Sequence, residues 1–596
     1  TPQIALTLAI VAVAVVLFAT EVLRVDVIAL LVLLALGLTG LVAPGDLFAG
    51  FASPAVVTVW AVYIVSGALF RTGVADFLGE RIIRVAGTSE PRLITIIMLT
   101  CGVMSAFTNN IGATAVLLPA VVGISRQADV PLSRLLIPLS FSSLMGGNMT
   151  LIGTPPNVLA ASLLSENGLA SLGFFDFFPT GAIVFGTGII YMVFVGRHLL
   201  PVRQSVEEAQ EAALREYVSE VRVPEQSKLV GKTLIESGLG ADYDLSVIAV
   251  LRDEATPGAV YPHTPLRAGD LLLVEGTVNR LIRARDELGL VIEAQRKWEL
   301  EQLDSEEVHV VEATLAPRSR IAGRTLRELH FRDRYGFTAL AISRHGEVVT
   351  RRLRDVRLQF GDALLLLGPR DRLPALQEEG DFLVLEPVEM ELRRRNKAPV
   401  AIGAMALVLG LVTLLNFPIA TAMVIGAVMV VLGGSLTMDE AYQSIEWRSV
   451  FLIAGMLPLG VAMETTGTAR FLSDLIVGWL GALGPIAILA GIYLLAGLIT
   501  EPMSNAAATV LMVPIAIDVA LGMGANPQPF VLATVIGAST SFLTPVGHQA
   551  NVLVLGPGGY RFFDYTRVGG PLNLILMAVT LVALPLIWPP LLSGRM

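Results

Sequence analysis

The sequence predicts a membrane protein, all-α in its spanning parts, built from two related halves that are separated by a soluble α+β insert. Three observations carry this reading. The 596-residue chain is 54% hydrophobic and only 16% charged, with a mean hydropathy of +0.69, which is far too apolar for an ordinary soluble multidomain protein. Apolar runs of the length a bilayer needs, about 20 residues each, fill residues 1–200 and 398–596, whereas residues 203–397 are rich in Glu, Arg and Asp. The two apolar parts also repeat each other at an offset of 394 or 395: "TGVADFL" (72–78) matches "TGTARFL" (466–472), Asn110 matches Asn505, Pro119 matches Pro514, Gly153 matches Gly547 and Asn157 matches Asn551.

In chain order, the apolar segment 4–23 has no basic region before it and is followed at once by another at 27–42, so it reads as a span rather than a cleaved signal peptide. Five spans and one re-entrant hairpin are expected per half, the hairpins covering residues 93–125 and 483–517. Five is odd, so the halves insert with opposite orientation, the inverted-repeat plan of secondary transporters. Basic residues agree with this. Arg24, Arg71, Arg81, Arg84, Arg92, Arg126, Arg134, Arg197, Arg203, the cluster at Arg393, Arg448, Arg561 and Arg567 fall on one side, and Arg470 and Arg595 on the other. The insert is accordingly expected in the cytoplasm and both termini outside, in an inner or plasma membrane.

The insert alternates apolar strands such as "LSVIAVLR" and "DLLLVEG" with charged segments, which is α+β patterning. Its charged opening stretch 207–216 reads as a solvated helix. The insert is itself doubled at an offset of 92: Ser227, Gly231, Thr233 and Leu234 recur at Ser319, Gly323, Thr325 and Leu326, and "GDLLLVEG" from Gly269 recurs as "GDALLLLG" from Gly361. The expected domains are 1–202, 203–300, 301–397 and 398–596.

Several function classes are excluded. A net charge of −9 with no basic run beyond 393–397 argues against a nucleic-acid partner. The lone cysteine, Cys101, removes disulfides and cysteine-based metal centres. HExxH, GxSxG and Walker motifs are absent, so no enzyme and no organic cofactor is indicated. One class stays open as the alternative, a gated ion channel regulated by the insert, against which stand the lack of a TVGYG-like filter and of a GxGxxG half before the insert's domains.

What remains is carried by two polar tips in apolar surroundings, "SAFTNNIGATAVLLP" (105–119) and "TEPMSNAAATVLMVP" (500–514). Amides and non-helical backbone persist at membrane depth only where protein buries them or a wet cavity takes them. Two symmetric tips that meet near the midplane satisfy this, and their helix ends offer N–H groups to an anion and C=O groups to Na⁺. A second element in each half points the same way. "GGNMTLIGTPPN" (146–157) and "STSFLTPVGHQAN" (539–551) both break a span with proline and glycine. The bland alternatives are interhelical packing for Asn110 and Asn505, simple kinks for the prolines, a satisfied core histidine for His548, and a capping role for Glu501, which is favoured over an approach to an ion.

The hairpins "NNIGATAVLLP" and "SNAAATVLMVP" and the "LIGTPPN" break resemble the divalent anion/sodium symporters of the ion transporter superfamily, across both apolar halves. The insert resembles two tandem TrkA C-terminal (RCK C) domains, a combination of that family's sulfate-transporter-like branch, and "GPGGYRFFDYTRVG" from Gly556 looks typical of the branch. The resemblance implies a first sodium site at Ser105, Asn109, Asn110 and Gly153, and a second at Thr500, Met503, Asn505 and Gly547. It implies an anion held between Asn109, Asn110, Ile111, Thr154, Ser504, Asn505, Ala506 and His548. The chain departs from the family's Ser-Asn-Thr pattern at Asn109-Asn110-Ile111 and Ser504-Asn505-Ala506, and a second Thr-Pro-Pro reads His548-Gln549-Ala550. Three hydroxyls are therefore missing. The resemblance further implies an elevator motion of hairpins and broken helices against a scaffold, and a homodimer.

The function expected is a Na⁺-coupled symporter of a small divalent anion, sulfate first and a dicarboxylate second, seated among membrane lipid. The insert's histidines at 263, 309, 330 and 345 are scattered, so it is expected to regulate through a cytoplasmic ligand that its sequence does not identify, or else to stabilise the dimer.

Overall fold

A computed structural model describes the chain except for residues 21, 75–86, 88, 129, 203–217, 241, 244, 252–256, 259–262, 276–277, 293–307, 316–318, 345–346, 350–352, 360–361, 370–371, 374–375, 377–380, 385–393 and 589–596. Residues 75–78 of the first repeat marker, Arg81, Arg84, Arg203, the 207–216 stretch, His345, Gly361, Arg393 and Arg595 lie outside the described residues. The chain divides into a helical unit, residues 1–201, 390–554 and 562–596, and a second unit, residues 202–389 with 555–561.

In the helical unit, seven helices among the described residues are long and apolar enough to cross a membrane: Pro2–Thr20, Pro54–Arg71, Phe178–Leu199, Arg395–Leu414, Trp447–Thr465, Asn505–Gly522 and Phe562–Ile587. Ten spans with two hairpins is more than this. Six of the seven are expected spans and Asn505–Gly522 is an arm of the second expected hairpin. The other four expected spans are Val25–Leu38 and Ile419–Leu432, with 14 residues each and a rise of only about 21 Å, and the two interrupted spans described next.

Each expected hairpin is a pair of helices, Glu90–Ser105 with Asn110–Ala128 and Pro485–Thr500 with Asn505–Gly522. Each expected broken span is helix, irregular stretch, helix: Leu136–Gly147 then Pro155–Glu166, and Pro527–Ser539 then Gln549–Leu555. Small residues bring hairpin and broken helix together. Gly146 meets the backbone of Gly102, and a Cβ on Gly537 would stand 2.6 Å from Tyr493 O. The double proline opens its helix rather than bending one, since Pro155 follows the extended Thr154 (φ −150°, ψ 144°) and occupies the first turn, where the missing N–H costs nothing.

The second unit contains two five-stranded sheets. The strands are β1 (Val218–Arg222), β2 (Ser246–Leu251), β3 (Pro257–Gly258), β4 (Leu271–Glu275), β5 (Val291–Ile292), β6 (Val308–Leu315), β7 (Thr338–Arg344), β8 (Glu347–Val349), β9 (Ala363–Pro369) and β10 (Phe382–Val384). The orders β3-β2-β4-β1-β5 and β8-β7-β9-β6-β10 are the same arrangement. Register repeats at 92 as well. Val218 pairs with Glu275 and Val310 with Leu367, and the irregularity at Val247/Ala249 recurs at Ala339/Ala341. Each sheet buries its own core, Val221, Val247, Leu272 and Val274 in one and Val311, Ala313, Leu364 and Leu366 in the other.

At one edge of the helical unit, Glu440 accepts from Arg71 Nη1 at 2.9 Å and from Arg394 Nη1 at 3.0 Å. It also closes a capping box with Thr437 at the start of Met438–Ser444. Partial burial raises the Glu440 pKa, but the Thr437 amide and the two guanidiniums outweigh burial and hold the carboxyl below its ordinary value. A depressed folded pKa means stabilisation that is present above the unfolded value, about 4.3, and is lost as pH falls through the folded one. Glu440→Gln is therefore expected to lower the stability of the purified protein at pH 7 by about 1–2 kcal/mol. Thermal unfolding in detergent at descending pH should show the gap to the parent protein closing below the ordinary carboxylate pKa.

Candidate functional site

The two hairpin tips share one hydrogen-bond plan. Ser105 Oγ lies 2.7 Å from both Asn110 Oδ1 and Ser143 O, and Thr500 Oγ1 lies 2.8 Å from both Asn505 Oδ1 and Ala538 O. Thr114 Oγ1 donates to Asn110 O at 2.9 Å, as Thr509 Oγ1 does to Asn505 O at 2.8 Å. The breaks follow suit. Asn157 Nδ2 donates to Gly147 O at 3.1 Å and Thr150 O at 2.6 Å, and Asn551 Nδ2 to Ser541 O at 2.7 Å and Thr544 O at 3.3 Å. Every partner is displaced by the 394 or 395 of the sequence repeat.

The first cluster is an oxygen cage. The end of the Asn110 amide lies 2.7 Å from Ser105 Oγ and 3.2 Å from both Ser143 O and Gly153 O. Ser105 has one hydroxyl hydrogen, and Ser143 O competes for it. An amide nitrogen in this position has two hydrogens to share among these three acceptors, whereas an amide oxygen there meets only the one hydroxyl hydrogen of Ser105. Gly147 lines the cage without a side chain, since a Cβ would stand 2.5 Å from Asn110 Oδ1.

The second cluster has a hydroxyl where the first has glycine: Ser541, the counterpart of Gly147, donates to Asn505 Oδ1 at 2.8 Å. With its oxygen turned to Thr500 and Ser541, Asn505 leaves Nδ2 buried without a partner at 6% residue exposure. An orphaned buried donor is what an anion satisfies.

The remaining expected residues divide between caps and lining. Asn109 Oδ1 accepts from Ile111 N at 2.9 Å, which caps the helix and uses the Ile111 amide. Ser504 Oγ accepts from Ala507 N at 3.2 Å in the same role. The Asn109 NH₂ group and the Ser504 hydroxyl hydrogen remain as donors. Met503 and Ala506 are buried, and the Met503 amide donates to Thr500 O. Thr154 is buried at the mouth of Pro155–Glu166, with no capping bond from its side chain. His548 Nδ1 accepts from Ala550 N at 3.1 Å, so a neutral ring carries its proton on Nε2.

Glu501 clamps the second break. Its Oε1 accepts from Leu543 N at 2.9 Å and its Oε2 from Thr544 Oγ1 at 2.7 Å. A Cβ on Gly547 would lie 2.7 Å from that carboxylate, which is why glycine stands there. Oxygen donors of this kind suit a hard cation such as Na⁺. Among the described residues no group of three or more His, Cys, Asp or Glu gathers to hold a metal. The carbonyls of Ser143 and Ala538 and the Ser541 hydroxyl were not readable as site members, because backbone oxygens carry no residue signature and Ser541 pairs with a glycine across the repeat.

Comparison with known proteins agrees with a transporter. The profile of the family described as "Citrate transporter" (CitMHS) matches residues 15–537. An uncharacterized transporter of Synechocystis is 38% identical over 98% of this chain and 97% of its own length. An uncharacterized transporter of Escherichia coli, YfbS, is 33% identical over 98% of both. Sodium/sulfate cotransporter 2 of Chlamydomonas reinhardtii is 26% identical over 63% of this chain and 43% of its own.

The Glu501–Gly547 contact yields a test. Gly547→Ala is expected to displace the carboxylate and destabilise the protein by about 1–3 kcal/mol. Glu501→Ala removes the obstructing group, so the double variant should be less destabilised than the two single losses added together. Thermal unfolding of the four proteins measures this, and strict additivity would refute the contact.

Proposed function

This chain belongs to the citrate transporter family, and on that footing we propose that it is a Na⁺-coupled symporter of a small divalent anion, sulfate first. The observation that carries the reading is the pair of Ser/Thr–Asn oxygen clusters at one sequence offset, each beside the N-terminus of a long helix. Among the described residues, none of the hydrogen bonds at Asn109, Asn110, Ser504 or Asn505 comes from Lys or Arg. A dianion stripped of water without countercharge would cost tens of kcal/mol by a rough Born estimate. Two Na⁺ ions supply that countercharge, while helix N-termini and the donors of Asn109, Ser504, Asn505 and His548 supply direction. The name of the algal cotransporter supports sodium and sulfate. The family's citrate description favours the second reading, a carboxylate anion.

The two halves are read as inverted in the membrane, with hairpins and broken helices moving as an elevator against a scaffold of the other long helices. Residues 203–397 are read as a cytoplasmic pair of TrkA-C domains that regulate a homodimer, the shared strand order of the two sheets supporting the pairing.

Anion-induced thermal stabilisation of the purified protein tests the function. Sulfate is expected to raise the melting temperature with Na⁺ present and to have no effect in choline. Screening thiosulfate, molybdate, phosphate, succinate, malate and citrate alongside separates the readings. A clear preference for a carboxylate over sulfate overturns the substrate, and equal stabilisation in choline overturns the coupling.

A further inference from the structure

The two clusters are joined by an unbroken run of buried polar groups. Ser105 Oγ bonds to Ser143 O at 2.7 Å, Ser143 Oγ donates to Ser140 O at 2.8 Å, and Ser140 Oγ donates to Asn551 Oδ1 at 2.7 Å. Asn551 Nδ2 in turn donates to Ser541 O at 2.7 Å, and Ser541 Oγ donates to Asn505 Oδ1 at 2.8 Å. Ser105, Ser140, Ser143, Ser541 and Asn551 all have 0% exposure, so water does not compete for any of these bonds. The crossing from one half to the other is the Ser140–Asn551 bond, beside which the Phe141 and Phe542 rings pack with centroids 4.4 Å apart. The repeat does not restore this link on its other side, because the Oδ1 of Asn157, the mate of Asn551, is buried without a partner.

We propose that Ser140 is a positioning residue that ties the two cation sites together, so that loading one prepares the other. This rests on the sodium-coupled reading. A cation at the first site draws Ser143 O toward it, and Ser143 lies one turn beyond Ser140 on the same face of Leu136–Gly147. Any shift of that last turn passes through Ser140 Oγ to Asn551. Asn551 holds both Ser541 O and Thr544 O, so it sets the hydroxyl that faces Asn505 at the second site. Coupling of two sites through one two-state element is reciprocal, and shows as steepness in the Na⁺ dependence.

The test is a Na⁺ titration of uptake by the full-length protein in proteoliposomes, with Na⁺-induced thermal stabilisation measured in parallel. The parent protein is expected to show a Hill slope well above one. Ser140→Ala should bring the slope toward one and raise half-saturating Na⁺ roughly five-fold or more, and Ser140→Thr, which keeps the donor, should restore much of the steepness. Ser142→Ala is the control. Its hydroxyl is equally buried but donates to Leu139 O within its own helix, and its other partner, the Cys101 thiol, lies in the same half, so it makes no link to the second site and the slope should stay as in the parent. Should Ser140→Ala not survive purification, Ser140→Cys weakens the donor at similar volume and carries the same expectation. A folded Ser140 variant with parental slope overturns the proposal, as does an equal loss in Ser142→Ala. A parent protein stabilised and driven equally well without Na⁺ removes the sodium reading itself, and the link with it.

Discussion

An amide buried at membrane depth must find partners inside the protein, and this requirement organises the helical unit. Asn110 and Asn505 stand at the first turn of helices whose opening N–H groups have no intrahelical acceptor, beside chain turns that expose carbonyls. Each is held by a hydroxyl five residues earlier, and that hydroxyl also reaches a carbonyl of the neighbouring broken helix. One side chain therefore ties tip to break. Glycines at the helix crossings follow from the same need, since only a close approach lets a serine or threonine span both.

The repeat preserves this frame but not its chemistry. Gly147 gives the first cage no second hydroxyl, so the Asn110 amide nitrogen is the group that suits Ser105 Oγ, Ser143 O and Gly153 O. Ser541 fills the equivalent place in the second half and settles the orientation of Asn505 without an ion. Ala106 corresponds to Glu501, so only the second tip carries a carboxylate clamp on its break. Duplicated folds meeting at one site can afford such divergence, because the backbone frame of each half is secured by Asn157 and Asn551, which hold their own breaks shut.

Much of this was legible in the residues. The 92-residue offset of the insert anticipates two sheets of identical strand order, because a matching series of glycines and apolar strands at constant spacing leaves the chain no other way to bury its alternating faces. The hairpins and breaks were legible because proline, glycine and paired amides are costly inside an apolar helix and so mark its interruptions. Helix length was less legible. Apolar composition does not distinguish a 14-residue helix from a full crossing once connecting residues are also apolar, as at residues 39–42 and 415–418. Ser140 escaped notice because its partner is 411 positions away and its role has no counterpart across the repeat.

The missing hydroxyls of the family pattern have a physical resolution at the tips. A side chain at Asn109 or Ser504 must first accept from the helix it opens, because an uncapped N-terminus buried in an apolar surround costs about 1 kcal/mol or more. Asparagine performs that task with its oxygen and still carries two N–H donors, whereas serine keeps one. Exchanging a small hydroxyl for an amide at Asn109 therefore adds a donor while taking up space, and Ile111 adjacent to it gives its amide to the cap rather than to a ligand. The exchange at Asn109 leaves the tip richer in side-chain N–H groups. Under the proposed function, donors of this kind suit a compact anion that can accept on every face.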